Sequence, residues 1–195
     1  MENELNNQEI GFKKYPKIYA MDNEENELLL SIPEDDIIIE EKIDGANFRV
    51  FIKDGNLIFG TRTQEIGETP QSNNHKNFMR CIDFIKEKLK DKNLDLFDRK
   101  ILYGESCHCH TINYDWDIMP PFLGFDIFCL DQNIFLNNKN ELYKLLDIET
   151  VPIIKQCKSK DIIKIDDNDV PISKYALSSS KDQKAEGLVI KNYRN

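Results

Sequence analysis

The sequence predicts an α+β domain with antiparallel sheets. Three observations predict it. Short apolar runs that read as strands dominate the order of elements, with only two segments at helical spacing among them. A tight-turn signal, Asp54-Gly55, joins two of the strand-like runs. The composition, 40% hydrophobic with 11 Phe and 7 Tyr, is too apolar and aromatic for a disordered chain, and 195 residues are enough to bury a sizeable core in one domain or one and a half.

The elements follow in order. Residues 1–11 are acidic and Asn-rich and read as a flexible tail, which puts the start of the folded domain near residue 12 and its span at 12–195. Ile37–Glu41 is a β-branched apolar run and reads as a buried strand. Asn47–Lys53 alternates, with Phe48, Val50 and Ile52 on one face and Arg49, Phe51 and Lys53 on the other. After the Asp54-Gly55 turn, Asn56–Thr61 is the return strand. Phe78, Cys81, Ile82, Ile85 and Leu89 recur at helical spacing and predict a helix from about Asn74 to Leu89, with Ser72 as a candidate cap. Ile101–Tyr103 and Phe122–Leu130 are further strands. Glu141–Leu146 fits a short helix, and Ala185–Lys191 is the last strand.

Composition excludes some classes. No apolar run approaches the ~20 residues of a membrane helix; the longest, Leu28–Ile32 and Ile37–Ile39, are strand-sized. The N-terminus has neither a basic nor an apolar region of a secretory signal, so the cytosol is the default compartment. Five cysteines without such a signal read as reduced thiols. Cys107-His108-Cys109-His110 invites a zinc reading, but four neighbouring residues cannot all face one ion, and no second pair closes a tetrahedron. The net charge of −9 argues at first against a nucleic-acid partner. Residues 1–40, however, hold 11 acids and 3 bases, whereas residues 41–195 hold 24 acids and 23 bases. The excess acid belongs to the N-terminal arm, so the remainder has room for a local basic groove.

Five features carry chemistry. In Glu40-Glu41-Lys42-Ile43-Asp44-Gly45-Ala46-Asn47 a strand delivers a lysine into a short turn at Gly45. A lysine amine becomes a nucleophile when burial or neighbouring positive charge releases its proton. The same residues also fit a solvated lysine at a strand end. Arg62, in Gly60-Thr61-Arg62-Thr63, is an arginine that a hairpin partner returns toward Lys42, suited to bidentate phosphate contacts. Tyr103-Gly104-Glu105 ends a strand with a carboxylate able to hold ribose hydroxyls. Phe122-Leu123-Gly124-Phe125-Asp126-Ile127 offers an aromatic able to stack on a purine. Phe122 and Phe125 are three apart in a strand and so fall on opposite faces. In Ala185-Glu186-Gly187-Leu188-Val189-Ile190-Lys191, Lys191 shares a face with Gly187 and can approach a phosphate.

Each feature is weak alone, and their ordered combination is specific. It resembles the covalent nucleotidyltransferase superfamily of ATP-dependent DNA ligases, RNA ligases and mRNA capping enzymes. Lys42–Gly45 looks like motif I, Tyr103–Glu105 like motif III, Phe122–Ile127 like motif IIIa and Glu186–Lys191 like motif IV. Asn47-Phe48, Thr61-Arg62-Thr63 and Phe12-Lys13-Lys14-Tyr15 make it most similar to the RNA ligase branch of the phage double-strand RNA ligase and the RNA-editing ligases. Position 44 departs from that branch, with Asp where the phage type carries His.

The resemblance implies a ligase-type adenylation domain, with antiparallel sheets and flanking helices. It implies ATP and Mg²⁺ (or Mn²⁺) as cofactors and RNA ends, including a nicked duplex, as partners. Lys42 is the expected nucleophile, with Glu186, Lys191 and Arg62 as further catalytic residues. Glu41, Asn47, Glu105 and Phe125 join Lys42, Arg62, Glu186 and Lys191 as nucleotide contacts, Phe125 stacking on adenine. Asp44, Glu105 and Glu186 are the expected metal carboxylates, which can act through water because Mg²⁺ keeps several waters. The family's motif V, a Lys-x-Lys strand past motif IV, has no counterpart, since Asn195 follows Lys191 by four residues. The expectation is that another protein or a further C-terminal segment supplies it, and that this chain alone seals RNA slowly or not at all. Rival readings are a degenerate ligase-like protein that binds ATP or adenylates itself without sealing, a DNA ligase-type domain, and an RNA-end-binding module with no covalent chemistry.

Overall fold

A computed structural model describes residues 13–67, 73–108, 111–162, 165, 168–180 and 182–194. The expected tail over 1–11, the Ser72 cap, and Cys109 and His110 lie outside the described residues. Along the chain run β1 (Asp36–Lys42), β2 (Ala46–Lys53), β3 (Asn56–Thr61), β4 (Glu65–Ile66), α1 (Met79–Leu89), β5 (Lys100–Ser106), β6 (Phe122–Cys129), β7 (Ile134–Phe135), α2 (Lys139–Leu145), β8 (Ile153–Lys158) and β9 (Gly187–Asn192). All pairings between these strands are antiparallel, as the α+β class requires. The chain divides into two compact units, one of Met1–Tyr15, Ala46–His108 and Pro121–Thr150, the other of Pro16–Gly45, Cys109–Pro120 and Val151–Asn195.

The first unit is built on a six-stranded sheet in the order β4-β3-β2-β5-β6-β7. Its hairpin β2–β3 turns at Asp54 and Gly55, both at positive φ, 50° and 74°, which is the twist a two-residue hairpin needs. The alternation of β2 separates two apolar layers. Phe48, Val50 and Ile52 join Phe59, Leu102, Phe122 and Ile127 on one face, under α1 and α2. Phe51 joins Ile101, Tyr103 and Phe128 on the other, with Tyr15, Phe125 and Phe135 packed against them. The helix expected from Asn74 is α-helical only from Met79, where Cys81, Ile82, Ile85 and Leu89 are buried. Asn73–Phe78 before it is a 3-10 turn. Its sequence is rich in asparagine, a residue type of low helix propensity.

The second unit holds a three-stranded sheet, β8-β1-β9, with β1 in the centre. Ile37 and Ile39 are buried, which is why this run carries no polar alternation at its start. β9 begins at Gly187, two residues later than the expected strand, and runs to Asn192. The sequence predicts no strand where β8 lies. Ile153–Gln156 are exposed at the sheet edge, so no apolar period-two signal marks them. At the end of β9 the side chain of Asn192 donates to the Leu29 carbonyl, and just past it Arg194 pairs with Asp35 at 3.0 Å.

Candidate active site

Lys42 is the last residue of β1 and stands opposite Gly187 in the register with β9. Gly187 has no side chain to cover the lysine stem. The Lys42 ammonium forms an ion pair with the Glu186 carboxylate, and both side chains are partly exposed, at 40% and 36%. Two residues back on the same sheet face is Glu40, which is buried. Its Oε2 lies 2.7 Å from the Lys191 Nζ. Lys191 is opposite Ile38, so the alternation of β9 brings it to that face. One sheet face therefore presents two lysines, each beside a carboxylate. The neighbourhood of Glu40 and Lys191 was missed for Glu40, although its spacing of two from Lys42 was the available signal.

Glu41 falls on the opposite face of β1. Its carboxylate accepts a hydrogen bond from the Ser173 hydroxyl and a longer one, 3.4 Å, from the Lys174 amide. Burial pushes its pKa up, and those two hydrogen bonds only partly oppose the shift. Asp44 is buried in the turn after Lys42. Its Oδ2 accepts the backbone amides of Thr111 at 2.7 Å and Ile112 at 2.6 Å, and its own amide donates to the Tyr114 hydroxyl at 2.9 Å. The motif I turn is thus fastened to the 111–114 segment by three hydrogen bonds. Nothing in the spacing of the sequence links positions 44 and 111.

In the first unit, Asn47 stands opposite Glu105 across β2 and β5. Asn47 and Glu105 share the face of Tyr103 and Phe51 by alternation. Phe125 is the extra residue of a β-bulge, because Tyr103 pairs with Asp126 while Gly104 pairs with Gly124. Phe122 points into the core on the other face, against Phe48, as the three-residue spacing predicts. Phe125 packs edge-on against Tyr15, with ring centroids 4.8 Å apart. Arg62 lies just past β3 and is exposed in the turn to β4, rather than within the strand. A second arginine, Arg49, is buried on β2 opposite Gly60 of β3. A Cβ at Gly60 would come 2.6 Å from the Arg49 guanidinium. Burial pushes that guanidinium down to about 10. The expectation did not include Arg49, Ser173, Tyr114 or Lys139.

The described residues contain no group of three or more His, Cys, Asp or Glu side chains that could hold a metal ion. Of the expected metal carboxylates, Asp44 and Glu186 belong to the second unit and Glu105 to the first. Cys81, Cys107, Cys129 and Cys157 carry free thiols. Burial raises the Cys107 thiol well above its ordinary range.

Comparison with known proteins adds three findings. A search of curated proteins found no match. Among solved structures, RNA ligase of Naegleria gruberi with PPi matches at TM-score 0.59 and 20% identity, over 92% of this chain and 54% of that one. A variant of the same ligase with ATP and Mn matches at TM-score 0.55 and 21% identity, over 85% and 49%. Another with AMP and Mn matches at 0.56 and 20%, over 86% and 49%. At these identities the likeness shows the fold, and the chain spans about half the length of the ligase it matches. The family model for RNA ligase matches residues 35–195, from the first strand through motif IV, and by that match the chain belongs to the RNA ligase family.

Proposed function

We propose that this chain is the adenylation part of an ATP-dependent RNA ligase. The observation that carries the reading is Lys42, in Lys-Ile-Asp-Gly at the end of β1, with its ammonium held by Glu186 and Lys191 on the same sheet face. Family membership and the nucleotide-bound Naegleria ligase of like fold support it.

In this reading the Lys42 ammonium gives up a proton to solvent, its Nζ attacks the α-phosphate of ATP, and a second proton leaves as the N–P bond forms. The N–P bond forms as the P–O bond to the β-phosphate breaks, and pyrophosphate leaves with the electron pair. AMP then passes from the lysine to an RNA 5′-phosphate, and a 3′-hydroxyl displaces it to seal the strand. Glu186 orients the amine before attack. Lys191, fixed by the buried Glu40, places positive charge against the phosphate where negative charge grows. Asn47 and Arg62 serve the phosphates, Glu105 the ribose, Phe125 the purine face and Glu41 the purine edge. RNA ends are the partner class.

Mg²⁺ or Mn²⁺ accompanies the nucleotide. Asp44 fits poorly as a direct ligand, because its Oδ2 already holds two amides. Glu186, partly exposed beside Lys42, would hold a hydrated ion through one of the waters that such an ion keeps. When bound, such an ion supplies positive charge at the phosphates.

The test is incubation with ATP labelled at the α-phosphate. The parent is expected to retain label through denaturation, and Lys42→Ala to retain none while keeping the parent's circular dichroism. Label on Lys42→Ala would remove Lys42 as the nucleophile. A nicked-duplex assay on the same preparation then tests sealing separately from adenylation.

A further inference from the structure

The first helix after the β6 bulge carries a lysine with no solvent exposure at all. Lys139 is 0% exposed, at the start of α2. Its ammonium donates to the backbone carbonyl of Phe125 and lies 3.5 Å from the Asp126 carboxylate. A bulge residue is left out of the strand ladder, so its carbonyl needs another donor. Burying an ammonium is costly unless it is paired and hydrogen-bonded, and here both conditions are met at one place. Tyr143, four residues on and therefore on the same helix face, reaches the same bulge. Its hydroxyl lies 2.7 Å from the Tyr103 carbonyl and 3.0 Å from that of Asp126. From the other side the Tyr15 hydroxyl donates to Asp126. The bulge is the point where β6 changes which residues face each side, so that Phe125 and Asp126 both fall on the face of Tyr103.

The geometry points to Lys139 as a positioning residue for purine recognition: it fixes the Phe125 carbonyl, and through it the plane of the Phe125 ring on which the nucleobase stacks. This rests on the proposed nucleotide-binding role of Phe125. Lys139 touches no substrate in this account. Without that pairing the Phe125 carbonyl loses its donor and the bulge loosens, which frees the ring to tilt.

Lys139→Met keeps the stem and removes the ammonium, but it leaves Asp126 buried without its cation. Lys139→Met/Asp126→Asn removes both charges and keeps an acceptor for Tyr15, so it is the variant to rely on if the single one fails to fold. Two measurements are made on the full chain. The first is amide hydrogen exchange over Gly124–Ile127 without ligand, where at least tenfold faster exchange in the variant is expected, with α1 unchanged. Unchanged exchange in β6 overturns the inference. The second is equilibrium binding of ATP and of inorganic tripolyphosphate. Loss of a base-stacking surface predicts about tenfold weaker ATP binding, with tripolyphosphate unaffected and no further loss when Lys139→Met is added to Phe125→Ala. Equal loss for both ligands, or additive losses, means a merely structural role and overturns it. If the parent binds tripolyphosphate and ATP equally while β6 exchange still accelerates, the bulge restraint stands and the purine-stacking role of Phe125 is what falls.

Discussion

A methyl group at position 104 would sit 2.2 Å from the Phe122 ring and 2.5 Å from the Leu123 carbonyl oxygen. The second contact is backbone and cannot rotate away. Gly104→Ala is therefore expected to lose about 2–3 kcal/mol in urea unfolding, and a loss below that would mean the β5–β6 spacing is adjustable. Phe125 behaves differently, because its ring is only partly buried. Phe125→Leu keeps an apolar side chain and loses the flat surface, so ATP affinity should fall by more than stability does; equal affinity in a binding titration would count against stacking. Glu41 gives a pH signature. Its folded pKa is raised by burial, so the native state prefers the protonated form. The sign follows: the penalty is absent below the ordinary value of ~4.3 and grows as pH rises through the raised value. Urea unfolding at a series of pH values should show the parent losing stability relative to Glu41→Gln across that window, and a flat difference would contradict it. Motif-like spacing in the sequence singled out Lys42, Glu186 and Lys191, and the structure sets Lys42 beside Glu186 and Lys191 on the same sheet face as Lys42. Glu40 and Ser173 were not singled out, since their partners lie 151 and 132 positions away in the chain, at Lys191 and Glu41.

Elements were legible where burial leaves a period in the sequence. The β2–β3 hairpin, α1 and the core of β6 all carry one. β8 does not, because an exposed edge strand has no buried face to write into its residues. The β6 bulge was equally hidden: it depends on the pairing of Tyr103 with Asp126, which no local pattern records. The turn after β1 shows the same limit. Asp44 was read for its charge, yet two backbone amides of the 111–112 segment take one of its oxygens. Asp44→Ala should raise exchange at Thr111 and Ile112 and cost about 3 kcal/mol, from hydrogen bonds to a charged group. Asp44→Asn, which keeps an acceptor, should recover part of both. Unchanged exchange in Asp44→Ala would leave the turn without this anchor.

On the scale of the whole molecule, the two units differ in how much sheet they bury. The first has six strands with apolar layers on both faces, and the second has three strands with an exposed edge. Hydrogen exchange should therefore be slowest in β2, β5 and β6 and fastest in β8 among the strands. Mass spectrometry of peptides from the two units checks this, and equal protection of β8 and β5 would refute it. Among the described residues no helix is long and apolar enough to cross a membrane. The sequence by itself determined the α+β class, the hairpin, the helix core and the ordered motifs that mark an RNA ligase family member. These are written locally, as periods of two and 3.6 and as short spacings around Lys42 and Glu186. Only the tertiary structure decided that Lys191 pairs with Glu40, that Asp44 anchors residues 111–114, and that Lys139 seats the Phe125 bulge. The first joins groups brought together by sheet register, the second a turn to a loop and the third a helix to a bulge; each is a property of two segments at once, which no single stretch of sequence contains.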